Sequence, residues 1–268
     1  MNPIMNIDIA KTIEQSEVDT MSSRLTAIKN IKNNPMKVEV KNFGMATAFT
    51  VKNIPGPSFN TVKGLHYTDV NLLDEIIAFY DKENIPCRFE VTPAHASSEL
   101  FFKLAHRGFY QTSFHTALYS TPSLDNNDLL NSEISIRKIE KNEFDIFAEI
   151  YVKGFQMPNF VKSGVAENNR VLYDDENWKF YLASVKSEPV GIGVLFVKNG
   201  TATLAASATL PGYRNKGVHT ALLIKRINEA QSMKLGLVAG QAEFGSTSQT
   251  NMQRLGMNIA YTKAIWEK

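Results

Sequence analysis

The residues best placed to do chemistry stand in the stretch Thr209-Leu210-Pro211-Gly212-Tyr213-Arg214-Asn215-Lys216-Gly217-Val218-His219-Thr220-Ala221-Leu222, where a strand passes into a helix through a basic turn containing glycine. Such a turn binds anions. The start of a helix leaves backbone N–H groups unpaired and carries the positive end of the helix dipole, so a phosphate there satisfies both. Gly217 lets a diphosphate approach the main chain because no Cβ intervenes, and Arg214 and Lys216 add opposite charge. Two other phosphate motifs fail against these residues. Gly212 and Gly217 have P-loop spacing, but Val218 and His219 stand where a P-loop needs Lys and Ser or Thr. A dinucleotide fingerprint needs GxGxxG after a first strand, whereas this turn follows an antiparallel meander late in its domain.

The elements that position the turn can be read around it. Glu133 to Ile139 alternates as a short strand, Phe144, Phe147, Ala148 and Tyr151 recur at helical spacing up to Pro158, and a looser helix covers about Phe160 to Tyr173. Three strands follow, Trp178 to Val185, Val190 to Val197 and Thr201 to Thr209, the last two joined by Asn199-Gly200, a strong hairpin signal. Beyond the turn come a helix with Leu223, Ile224, Ile227 and Ala230 on one face, a strand Leu235 to Ala239, a helix from Ser246 and a strand Asn258 to Trp266.

The first half repeats part of this order. Leu72, Leu73, Ile76, Ile77 and Tyr80 form a helical stripe, Cys87 to Val91 a strand, Leu100, Phe101, Leu104 and Ala105 a helix, and Phe109 to Tyr119 an extended run. Arg254-Leu255-Gly256-Met257 echoes His106-Arg107-Gly108-Phe109, which points to two copies of one fold. Thr121 to Asp128, rich in turn formers, reads as the linker between them. With 268 residues, 43% hydrophobic content and 10% aromatics, the chain can bury two cores. Its net charge of +2 favours neither nucleic acid nor an anionic membrane as main partner. The single cysteine, Cys87, forms no intramolecular disulfide, and the absence of a signal-peptide pattern or a spanning apolar run fits a cytoplasmic protein.

The turn resembles the Arg/Gln-x-x-Gly-x-Gly/Ala motif of the GNAT superfamily, whose members bind acyl-CoA, and the element order resembles that fold over about Glu133 to Lys268. The resemblance implies an α+β chain of tandem GNAT-like folds, each with a twisted, mostly antiparallel sheet flanked by helices. A degenerate copy would occupy 1–122 and an N-acetyltransferase domain 132–268. Acetyl-CoA is the implied cofactor. Main-chain groups around Thr209 and Leu210 would bond its pantetheine arm, and the N–H groups of Asn215, Lys216, Gly217, Val218, His219 and Thr220 would hold the pyrophosphate beside Arg214. His219 departs from the motif's small residue, so its side chain either points away from the phosphates or donates to one. Ser246 and Gln249 have the spacing of a capping box. In GNAT enzymes that region lies beside the thioester, which makes Ser246, Ser248 and Asn251 candidate cofactor contacts. Capping explains Ser246 equally well, but not Asn251, a poor helix former inside a helix.

Acyl transfer to an amine needs a base for the amine, stabilisation of the oxyanion and a proton for the leaving thiolate. Many family members place a tyrosine four residues before the glycine that ends this helix, and here that position is Met252. The acid then falls to Tyr261 on the last strand or to a water. Glu243 at the strand end is the first candidate base, ahead of Asp174, Asp175 and Glu176. The first half has Val62-Lys63-Gly64-Leu65-His66-Tyr67-Thr68-Asp69 where the basic turn would be, so its cofactor site reads as lost. His66, His95, His106 and His115 lack ligand spacing, and no metal site is expected. The expected activity is transfer of an acetyl group from acetyl-CoA to a primary amine of a small molecule or peptide, by direct attack in a ternary complex of a monomer or homodimer. A non-catalytic acyl-CoA sensor, favoured by Met252 and His219, and a scaffold without cofactor remain open.

Overall fold

The computed structural model describes residues 2–54, 56–122 and 131–268. Residues of the expected linker from 123 to 128 lie outside the described residues. Contacts divide the chain into two compact units. The N-terminal unit holds Ile4–Ala117, Ala242–Phe244 and Ile259–Lys268, and the C-terminal unit holds Met1–Pro3, Leu118–Gln241 and Gly245–Asn258. In both units helices flank strands that pair mostly antiparallel.

In the N-terminal unit the Asn6 side chain caps α1 (Ile7–Lys29), accepting from the N–H groups of Asp8 and Ile9 at 3.0 and 2.9 Å. β1 (Val38–Phe43) and β2 (Ala46–Val51) form an antiparallel pair. There follow β3 (Thr61–Lys63), α2 (Leu73–Asp81), β4 (Phe89–Val91), α3 (Ser98–His106) and β5 (Tyr110–Ser120). The expected stripe from Leu72 is α2, which buries Leu73, Ile76 and Tyr80. α1, β1 and β2 go unread in the sequence for physical reasons. The buried face of α1 sets Glu14 and Glu17 between Ile13 and Val18, which breaks its apolar stripe, and β2 is buried at every position, so it shows no alternation.

The C-terminal unit runs β6 (Ile134–Lys138), α4 (Phe144–Gly154), α5 (Lys162–Arg170), β7 (Trp178–Val185), β8 (Glu188–Lys198), β9 (Thr201–Thr209), α6 (Val218–Ser232), β10 (Leu237–Glu243) and α7 (Thr247–Arg254). β6 to β9 are an antiparallel meander, and Asn199 and Gly200 turn it with φ of 50° and 74° between Lys198 and Thr201. The looser helix expected from Phe160 is a 3-10 turn at Asn159–Val161 followed by α5. The strand expected from Leu235 starts at Leu237, because the Leu235 N–H bonds back to Ala230 O at 3.1 Å and closes α6. β10 pairs in parallel with β9 from Leu237–Thr201 to Gly240–Leu204. Ala205 is extra in the β8–β9 register, a bulge between the Val194–Ala206 and Leu195–Leu204 pairs. Arg226, almost wholly buried, spans it, donating from Nη1 to Val194 O at 3.2 Å and Ala206 O at 3.0 Å.

The chain ends in β11 (Asn258–Glu267), which pairs antiparallel with β4 in the N-terminal unit. β11 carries Lys263 into a buried network there. Lys263 and Lys63 each bond both Glu17 and Glu90, with Lys63 to Glu90 and Lys263 to Glu90 at 2.6 Å. Two cations thus face two anions, which is how buried charge is tolerated. Glu14 stands beside them as a third carboxyl. It accepts from Thr92 Oγ1 at 2.8 Å, and His95 Nε2 lies 3.2 Å away. Burial pushes its pKa up from 4.5 to about 7, against the Thr92 hydrogen bond.

A carboxyl raised on folding favours the fold while protonated. Its contribution is present below the unfolded value and is lost as pH climbs through about 7. Glu14→Gln, which keeps the acceptor and removes the charge, is expected to raise Tm by several degrees at pH 8 and to leave it unchanged near pH 4. Thermal unfolding across that pH range checks this, and an equal shift at both ends would remove Glu14 as the cause.

Candidate functional site

β9 ends at Thr209 and leads through Leu210 and a 3-10 turn at Pro211–Tyr213 into Arg214-Asn215-Lys216-Gly217, with α6 starting at Val218. Asn215 and Gly217 take left-handed φ values of 60° and 87°. Gly217 is needed for its conformation, not for room: among the described residues a Cβ there would meet only Ile134 Cδ1, at 3.7 Å. The first amides of α6 have no acceptor within their own helix, and the turn presents them to a cleft of about 780 Å³. Ser207, Ala208 and Thr209 of β9, Gly154 and Phe155 at the end of α4, and Thr247, Ser248, Asn251 and Arg254 of α7 complete its wall. Arg214 and Arg254 are its cations, and no Asp or Glu is among the described residues that line it. Thr209 Oγ1 is buried without a hydrogen-bond partner among the described residues. Arg214 Nη2 donates to Gly154 O at 2.7 Å, which ties the turn to α4. The close approach of α4 to β9 needs Gly154, where a Cβ would lie 2.8 Å from Ala208 Cβ.

Residues 144–252, which include this open helix start and most of the cleft it faces, match the model of the acetyltransferase (GNAT) family. This stretch is a GNAT acetyltransferase domain. Its fold is shared with solved structures over nearly the whole chain. A GCN5-related N-acetyltransferase from Kribbella flavida is similar with a TM-score of 0.67 at 12% identity, covering 97% of this chain and 95% of that one. A tandem GNAT protein from the clavulanic acid biosynthesis pathway is similar with a TM-score of 0.63 at 11% identity, covering 96% and 95%. A conserved protein of unknown function from Staphylococcus epidermidis ATCC 12228 has a TM-score of 0.63 at 13% identity, covering 90% and 96%. At these identities the likeness shows the fold, a tandem one, and no more. No sequence among the curated proteins matches the chain.

Among the expected residues, Thr209, Arg214, Asn215, Gly217, Val218, His219, Thr220 and Asn251 line the cleft of the GNAT domain together. Leu210, Lys216 and Ser246 do not line it. The Lys216 ammonium sits 4.9 Å from the centre of the Tyr213 ring, and the Tyr213 hydroxyl donates to Glu188 at 2.6 Å. Ser246 caps α7, accepting from the Gln249 N–H at 3.2 Å, while Gln249 Oε1 accepts from the Gly245 N–H at 2.8 Å, one residue before the expected capping-box partner. Glu243 is exposed at the end of β10 and, by its contacts, belongs to the N-terminal unit. Tyr261 is buried in that unit as well. Burial, and then Glu17, Glu14 and Glu90, push its phenol well above the usual range. Neither lines the cleft. Met252, in the position of the family's tyrosine, is buried, and a Cβ on Gly240 would come within 2.7 Å of its sulfur.

Sequence reasoning missed Ser207 and Gly154. Ser207 follows the bulge at Ala205, where simple alternation fails, and Gly154 carries no local sign of the strand it touches. Among the described residues, no group of three or more His, Cys, Asp and Glu side chains is placed to hold a metal ion, and no helix is long and apolar enough to cross a membrane.

Because strain and not space dictates Gly217, Gly217→Ala is expected to destabilise the chain by about 1–2 kcal/mol, and Gly217→Asn by less, since Asn tolerates the left-handed region. Urea unfolding of both variants measures the difference, and an Ala variant as stable as the wild type would contradict the assigned conformation.

Proposed function

We propose that the C-terminal unit transfers an acetyl group from acetyl-CoA to a primary amine, by direct attack with both substrates bound. The observation that carries this reading is the cleft at Gly217, where the open amides of α6 meet a wall with two arginines and no carboxylate. Such a wall suits a polyanion. The residues present fit the cofactor: Gly217 and its neighbours would hold the diphosphate, and the orphaned Thr209 hydroxyl and the β9 main chain beyond the bulge would bond the pantetheine arm. Acetyl-CoA supplies the acetyl group as a thioester. A C–N bond then forms as the C–S bond breaks, the amine loses one proton and the thiolate gains one. Glu243, exposed at the end of β10 and outside the lining of the cleft, is kept as the proposed acceptor of the amine's proton. Tyr261 has no part in this scheme, because its hydroxyl is enclosed with Glu14, Glu17 and Glu90.

One observation favours a second reading. The sulfur of Met252 packs on β10 where many relatives offer a phenol, which fits an acyl-CoA-binding module that performs no chemistry.

Isothermal titration with acetyl-CoA is expected to show binding to the wild type and a loss of roughly tenfold or more in Gly217→Glu, whose carboxylate would occupy the anion site. Equal affinities would end the assignment of the turn. Release of free thiol in the presence of a panel of amines separates enzyme from sensor, because a sensor binds and releases none. If Glu243 takes the proton, Glu243→Gln lowers kcat and flattens the rise of rate with pH; an unaltered profile leaves the base elsewhere.

A further inference from the structure

Resting on that reading, we propose that His219 is a neutral hydrogen-bond donor of the cleft, held by Asn251 in the tautomer whose Nε2–H meets an oxygen of the bound acyl donor that carries or develops negative charge. His219 is the second residue of α6, stands where the family motif has a small residue, and lines the cleft together with Asn251. Its Nδ1 lies 3.0 Å from Asn251 Nδ2. An amide nitrogen only donates, so this contact assigns Nδ1 as the acceptor and the ring proton to Nε2.

The ring is neutral at physiological pH. Burial, and next the positive charge of Arg226 on the same helix, hold its pKa down at about 4. Arg226 spends its own hydrogen bonds on main-chain oxygens of Leu222, Val194 and Ala206. Arg214 and Arg254 are the cations that line the cleft, and among the described residues its lining has no carboxylate to favour an imidazolium. A neutral imidazole with Nε2 protonated has no free lone pair for an amine's proton. It is also too weak an acid to protonate a thiolate. What remains is donation of a fixed hydrogen bond, the role a neutral histidine fills at a helix start when charge must be stabilised without proton transfer.

Two oxygens offer that chemistry, one on the diphosphate and one on the thioester carbonyl. Nitrogen-15 NMR of the unliganded protein labelled at histidine should show His219 with a bare Nδ1 and a protonated Nε2 at pH 7. Asn251→Leu should turn this into a tautomer mixture, as befits a positioning residue. His219→Leu is expected to lose about ten- to a hundred-fold, the range of one hydrogen bond to a charged group, and His219→Gln, which restores an N–H, to recover most of it. If the partner is the diphosphate, the loss appears in the affinity for CoA. If it is the thioester carbonyl, kcat falls while CoA affinity holds. A protonated Nδ1 in the wild type, or a His219→Leu variant with unchanged CoA affinity and kcat, overturns the proposal. A wild type that gives no heat with CoA overturns the functional reading as well, and the NMR result tells the two failures apart.

Discussion

The C-terminal unit depends on a short parallel contact that stops. β10 and β9 pair as far as Gly240 and Leu204, and the bulge at Ala205 redirects β9 at that level. A sheet that parts leaves main-chain groups of β9 unspent beside the start of α6, and both supply the cleft with donors and acceptors. Arg226 braces the bulge from the sheet-facing side of α6, which rests so closely on β8 that a Cβ on Gly191 would fall 2.6 Å from Val218. The position of the helix start therefore follows from packing beneath it, and the anion site follows from the helix start.

The N-terminal unit treats the same turn differently. Where the C-terminal unit leaves helix amides open, Asp69 closes a capping box here, accepting from the His66 N–H at 3.1 Å and also from the Met45 N–H at 3.3 Å. β3 and β4 touch through the Val62–Phe89 pair, and just past it Lys63 and Glu90 are locked with Glu17 and Lys263. The cavity left among these side chains is about 10 Å³, room for a water at most. The unit is held here by a network of paired buried charges.

The two units also contrast in how they handle titratable groups. In the N-terminal unit, buried lysines and carboxylates neutralise each other, and Glu14 stands outside the balance with a pKa near neutrality. In the C-terminal unit no acid lines the cleft beside its cations among the described residues, and His219 is held uncharged. The first arrangement serves cohesion and makes stability depend on pH. The second leaves a positive field for a polyanion and offers hydrogen bonds that do not change with pH in the physiological range.

Much of the site was legible in the sequence, because its parts are local. The basic turn, the positive φ demanded at Gly217, the Asn199-Gly200 hairpin and the cap at Ser246 each involve residues a few positions apart, where backbone sterics and helix-end chemistry act directly. The stripes of α2, α3 and α4 were readable for the same reason. Tertiary structure alone decided what lies between distant segments. The His219–Asn251 bond joins residues 32 apart, Lys263 meets Glu17 across 246, and the bulge at Ala205 is defined only by the register of a neighbouring strand. α1 escaped notice because its inward carboxylates look like solvent-facing ones until their lysine partners are in place. A sequence records which side chains can pair, and burial determines which of them do, since only desolvation makes an unpaired charge costly enough to choose its partner.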